Sequence, residues 1–94
     1  MNIEKADMVQ SLAGRDQGQY FFVLDVQDEM LLLADGKLRR VESPKRKKRK
    51  HVMRVCRAQE TLAGRIQSGE KVTNSELRKA IIAVGGHEKQ DQEG

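Results

Sequence analysis

Lys45-Arg46-Lys47-Lys48-Arg49-Lys50 sets six cations in succession in a chain of 94 residues. A block of like charge repels itself, and a polyanion relieves that repulsion. Nucleic acid is the commonest polyanion, because each neutralised phosphate releases condensed counterions. The surroundings sharpen the signal. Residues 1–36 hold two basic and seven acidic residues, residues 37–57 eleven basic and one acidic, and residues 58–94 five basic and six acidic. The net charges of −5, +10 and −1 sum to the overall +4. Lys37 and Arg39 precede the run and Arg54 follows it, so all three are expected to extend a phosphate-contacting surface.

Other chemistry finds little support. The two histidines, His51 and His87, fall in the charged stretch and in a polar tail, with no companions for nucleophilic catalysis or metal binding. Cys56 is the single cysteine, which excludes an internal disulfide and a structural thiolate zinc site. No Gly-rich phosphate loop of the nucleotide-hydrolase kind is present. The expectation is a non-enzymatic protein with no cofactor, no metal and no small-molecule substrate. No apolar stretch approaches the ~18 residues that cross a bilayer. No secretory leader is visible in Met1-Asn2-Ile3-Glu4-Lys5-Ala6-Asp7. A cytoplasmic, monomeric protein is expected, with no membrane partner.

The elements that must position these residues change character at mid-chain. Met8–Leu12 alternates weakly. Gly14-Arg15-Asp16-Gln17-Gly18 is a turn, in which Asp16 is expected to fix the loop through a local hydrogen bond. Tyr20–Val26 is rich in aromatic and β-branched residues and reads as a strand buried on both faces. Core packing is the expected role of Tyr20, Phe21 and Phe22, with Tyr20 the best candidate for a base-stacking exception. Gln27-Asp28-Glu29 is a polar turn and Met30–Ala34 a third strand. Asp35-Gly36 is a hairpin signal, which predicts a fourth strand over Lys37–Glu42 ending before Pro44. His51–Val55 supplies a fifth, leaving the basic run as a connecting segment able to order on binding. Five short strands with tight turns predict a small antiparallel barrel.

The second half is helical. Ala58, Leu62 and Ile66 share one face of a helix over about 57–67, ended by Gly69. Thr73-Asn74-Ser75-Glu76 is a capping box, with Val72 and Leu77 as a hydrophobic staple. Leu77, Ile81 and Val84 form the buried face of this second helix, and Gly85-Gly86 stops it. The fold class is therefore mainly β with C-terminal α. The organisation is a barrel over 1–55, a helical extension over 56–86 and a disordered tail over 87–94.

Val9 to Val26 resembles a KOW motif, the strand–loop–strand element of small RNA-binding barrels. Its pattern is an apolar strand, Gly14-Arg15-Asp16-Gln17-Gly18, and a second apolar strand through Leu24 and Val26. Gly18 matches the family's most constant glycine. Leu31-Leu32-Leu33-Ala34-Asp35-Gly36, Leu38-Arg39-Arg40-Val41 and the basic run extend the resemblance over roughly residues 8 to 55. They are similar to the large-subunit ribosomal proteins of the fourteen-e, six-e and twenty-seven-e group and their short bacterial relatives. The C-terminal helices depart from that pattern. The resemblance implies a five-stranded SH3-like barrel followed by two short helices. It also implies RNA contact by Arg15, Gln17 and Gly18 of the loop.

Combined with the charge pattern, it leads to an RNA-binding protein, ribosomal or ribosome-associated, that grips structured rRNA by its phosphates. The candidate contacts are Arg15, Gln17, Gly18, Lys37, Arg39, Lys45, Arg46, Lys47, Lys48, Arg49, Lys50 and Arg54. Two alternatives remain: a transcription-linked or general nucleic-acid KOW module, and a protein-interaction module docking an acidic partner.

Overall fold

The strands begin where side chains alternate between two apolar layers. In chain order they are β1, Asp7–Ser11; β2, Tyr20–Gln27; β3, Met30–Ala34; β4, Lys45–Lys48; and β5, Val52–Arg57. Two helices follow, α1 over Glu60–Ser68 and α2 over Asn74–Ala83. The computed structural model describes residues 2–85. The tail expected over 87–94, and Gly86 of the expected helix stop, lie outside the described residues.

All strand pairs are antiparallel, in the order β4-β3-β2-β1-β5. β4 and β5 are thus the two edges, yet only a 3₁₀ turn over Arg49–His51 separates them. Opposite edges of a flat five-stranded sheet would lie about 19 Å apart. Four residue steps from Lys48 to Val52 reach about 14 Å at most. The sheet must therefore be rolled. No backbone pairing joins β4 to β5, so the expected barrel is an open roll whose two edges are linked by the turn; Leu12 N donates to His51 O at 2.8 Å, carrying the β1–β5 pairing into it.

Rolling creates an inside and an outside, and both are apolar. Ile3, Val9, Phe21, Val23, Leu31, Leu33 and Val52 fill the inside. Met8, Phe22 and Ala34 face outward and are covered by Leu62, Ile66, Val72, Leu77 and Ile81 from the helical half. This explains why β2 reads as continuously apolar: Phe21 and Phe22 are each 1% exposed, on opposite faces. A bulge that leaves Leu24 without a partner on β3 moves Val26 back to the inner cluster. The helices thus belong to the same packed unit as the sheet.

The helix ends match expectation, but α1 starts later than 57: Arg57 still belongs to β5, and Ala58 N donates to Ala6 O before the helix begins at Glu60. Thr73 accepts from Glu76 N, and the Glu76 carboxylate accepts from Thr73 N, completing the capping box. Gly69, at φ +82°, ends α1 in the left-handed conformation. Val84 differs from expectation. It caps α2 at 49% exposure, because the helix turns its last residues away from the sheet after Ile81.

The main correction concerns the fourth strand. Lys37–Glu42 is a loop, and the basic run itself supplies β4, paired with β3 from Met30↔Lys48 to Leu33↔Lys45. The cause is competition for backbone donors. Asp35 Oδ1 accepts from Lys37 N at 2.9 Å and Arg39 N at 2.8 Å, and Asn74 Oδ1 accepts from Val41 N at 2.8 Å. Those N–H groups are taken before a ladder can use them. The expected turn at Asp28-Glu29 is the tight one, between partners Gln27 and Met30, with Asp28 at φ +58°. Asp35-Gly36 opens a longer loop that docks on α2.

Candidate nucleic-acid interface

Because Lys45–Lys48 of the run is a strand, alternation sorts those four cations. Lys45 and Lys47 stand opposite the inward residues Leu33 and Leu31 and point the same way. Lys47 is 8% exposed. Its Nζ donates to Asp16 Oδ1 at 2.9 Å and to Ala13 O at 2.8 Å. Lys45 Nζ lies 3.3 Å from Asp16 Oδ2, an oxygen that has no well-formed hydrogen bond and is balanced by this charge alone. Ser11 Oγ completes the cluster, 2.7 Å from Asp16 Oδ1. Burial pushes the Asp16 carboxyl up, but the bonds from Lys47 and Ser11 and the Lys45 ammonium outweigh it and hold the carboxyl at about 2.

Asp16 therefore does fix its loop, but through side chains of β1 and β4 instead of the local turn bond expected from the sequence. The loop of Gly14–Gly18 and the basic strand, 31 residues apart at Asp16 and Lys47, become one surface. Arg15, Gln17 and Gly18 are exposed in that loop. Gly18 takes φ +90°, yet a Cβ there would meet nothing within 4 Å. Its requirement inside the protein is conformational, and the space beside it is open.

Arg46, Lys48 and Lys50 are exposed and have no ionic partner among the described residues. Arg49 is half-buried: its guanidinium donates to Asp28 O at 3.1 Å and to Ile3 O at 3.2 Å, pinning the β2–β3 turn and the N-terminal segment. Arg54 is also engaged. Its Nε lies 3.1 Å from Oδ2 of Asp7, a carboxylate 2% exposed, with Arg57 at 3.8 Å from Oδ1. Lys37 and Arg39 are exposed, but on the loop that precedes β4 and not on a strand face. That loop is held by Arg78 Nη1, which donates to Gly36 O at 2.6 Å, and by Asn74 Nδ2, which donates to Glu42 Oε1 at 3.0 Å.

The charge segregation along the chain is thus partly cancelled in the fold. Asp7 and Asp16, from the acidic first third, neutralise cations of the basic middle. No residue spacing signalled either pairing, since the partners come from elements far apart in the sequence. The aromatic residues offer no stacking platform: Phe21 and Phe22 are buried, and Tyr20 is half-buried against the helix-facing cluster. Among the described residues, no helix is long and apolar enough to cross a membrane.

No protein-family model matches this sequence, and a search of curated proteins likewise returned no match.

Proposed function

We propose that the chain is a non-enzymatic RNA-binding module of the SH3-like, KOW type, acting on or near the ribosome and gripping structured rRNA by its phosphates. The observation that carries this reading is the set Arg46 and Lys48 on the edge strand and Lys50 on the turn that follows it, exposed and without counter-ions among the described residues. An unpaired cationic row gains free energy when phosphates replace its counterions. The rolled five-stranded sheet, the left-handed Gly14 and Gly18 of the β1–β2 loop and the exposed Arg15 support the KOW resemblance. With every aromatic ring packed inside or against the fold, backbone contact is favoured over base stacking.

A protein-docking module would need the apolar stripe of α2 to be exposed. Leu77 and Ile81 are buried against the sheet, so they are not free for another chain. The transcription-linked alternative is separated by competition: labelled rRNA fragments are displaced from the protein with unlabelled rRNA or with duplex DNA. Preferential displacement by rRNA is the expected result, and equal displacement by DNA would favour a general nucleic-acid module. Sedimentation of a cell lysate in low and high salt tests the ribosomal assignment. Co-migration with ribosomal particles, weakened by salt, is expected; migration at the top of both gradients would refute it.

A further inference from the structure

We propose that strand alternation divides the four cations of β4 between two tasks: Arg46 and Lys48, joined by Lys50 of the following turn, contact phosphates, whereas Lys45 and Lys47 act through Asp16 to position the loop that presents Arg15 to the same ligand; Arg49 is held by Asp28 O and Ile3 O. This inference rests on the RNA-binding reading and assigns the roles within that site.

Lys47 is not available to a ligand, and Lys45, with 26% of its side chain exposed, is turned toward Asp16 Oδ2 at 3.3 Å. Lys47 already donates to Asp16 and to Ala13 O, and its side chain is 9% exposed. Reaching a phosphate would mean unlatching the loop and leaving the Asp16 carboxylate uncompensated in a buried site. Arg46 and Lys48 face the opposite way, about 6.6 Å apart as alternate residues of a strand. Such a row suits successive phosphates of one sugar–phosphate backbone.

Asp16 is the informative residue. A surface that merely attracts polyanions would be better without a carboxylate at its centre. This one is 9% exposed and points at the basic strand. Latching explains its presence, because a loop ordered before binding leaves less conformational entropy to be lost when Arg15 meets a phosphate. Cations on an edge strand also discourage pairing with another chain. That role would be served by any charge on β4 and gives no reason for two lysines to clasp a neighbouring loop.

The test uses the full chain and a fluorescein-labelled RNA stem-loop, with anisotropy read between about 50 and 200 mM salt. Four contacts predict a slope of log K against log salt of about −3, shallower than six would give. Arg46→Gln with Lys48→Gln should reduce the slope by about 2 and leave the melting temperature unchanged, while Lys45→Gln leaves the slope unchanged. Asp16→Asn raises the net charge by one, yet should weaken binding. In that background Arg15→Gln should cost nothing further, although it weakens binding in the unaltered chain. Tighter binding by Asp16→Asn, or an equal slope loss from Lys45→Gln and Lys48→Gln, would overturn the division of roles while leaving RNA binding intact. Should Asp16→Asn fail to fold, the comparison of Lys45→Gln with Lys48→Gln still decides. No binding by the unaltered chain would overturn the RNA-binding reading itself, and the division with it.

Discussion

The ammonium of Lys47 lies 2.9 Å from Oδ1 of Asp16. This one contact joins the most basic strand of the protein to the loop between its first two strands. It converts a charge run, which on paper is all surface, into a partly internal element. Replacing all six cations by Gln would therefore destabilise the fold as well as remove charge. Loss of binding by that variant would not isolate a contact surface, whereas loss by the Arg46, Lys48 pair would.

The same contact predicts a pH dependence. The Asp16 carboxyl sits at about 2 in the fold against 3.8 in the unfolded chain. A depressed carboxylate contributes stability above its unfolded pKa, and that stability is lost as the pH falls from near 4 through 2. The contribution is on the order of 2 kcal/mol. Urea midpoints of the wild type should fall over that window more than those of Asp16→Asn. Parallel curves for the two proteins would show that Asp16 is not the linked group.

Glycines separate by what surrounds them. Gly36 has φ +80°, and a Cβ there would fall 2.1 Å from Asn74 O. Gly36→Ala should cost more than the ~1–3 kcal/mol of backbone strain alone, because the loop must also leave α2. Gly64 lies inside α1 with nothing within 4 Å of a Cβ. Gly64→Ala should stabilise by about 0.5–1 kcal/mol through helix propensity. Thermal melts of both variants check the opposite signs.

Leu77 and Val84 sit near opposite ends of the same helix with different fates. Leu77 is fully buried between α2 and the sheet, so Leu77→Ala should cost about 2–5 kcal/mol. Val84→Ala, at an exposed cap, should stay within about 0.5 kcal/mol. Denaturant titration distinguishes them. Equal effects would mean that the helical half does not pack on the sheet as described.

The α2 N-terminus ties the helical half together. Glu76 closes the capping box on Thr73 and also pairs with Arg65 of α1, whose Nη2 donates to Lys71 O at 2.6 Å. The Arg65 hydrogen bond, followed by the Thr73 backbone bond, holds the Glu76 carboxyl at about 2. Thr73→Ala should cost about 1 kcal/mol of stability. Circular dichroism melts would reveal the loss, and an unchanged melting temperature would show that the cap is dispensable.

Features that depend on neighbours along the chain are legible in the residues alone. β3 is legible from its turn-bounded apolar residues, and β2 from its aromatic and β-branched density. α2 is legible from Thr73 to Glu76, and the end of α1 from Gly69, because propensity, capping and left-handed turns act within a few residues. Charge segregation likewise pointed to a cationic surface. Features that depend on partners far apart in the chain emerge only when the elements pack. Lys37–Glu42 became a loop because Asp35 and Asn74 took its backbone donors, and Asn74 is brought there only when α2 packs on the sheet. Lys45–Lys48 became a strand because the exposed edge of β3 needed a pairing partner and Asp16, from another loop, supplied a counter-charge for the lysines that alternation turns inward. A run of six cations states its charge in the sequence. Which of them face solvent is set by strand alternation and by the buried carboxylate waiting on one side.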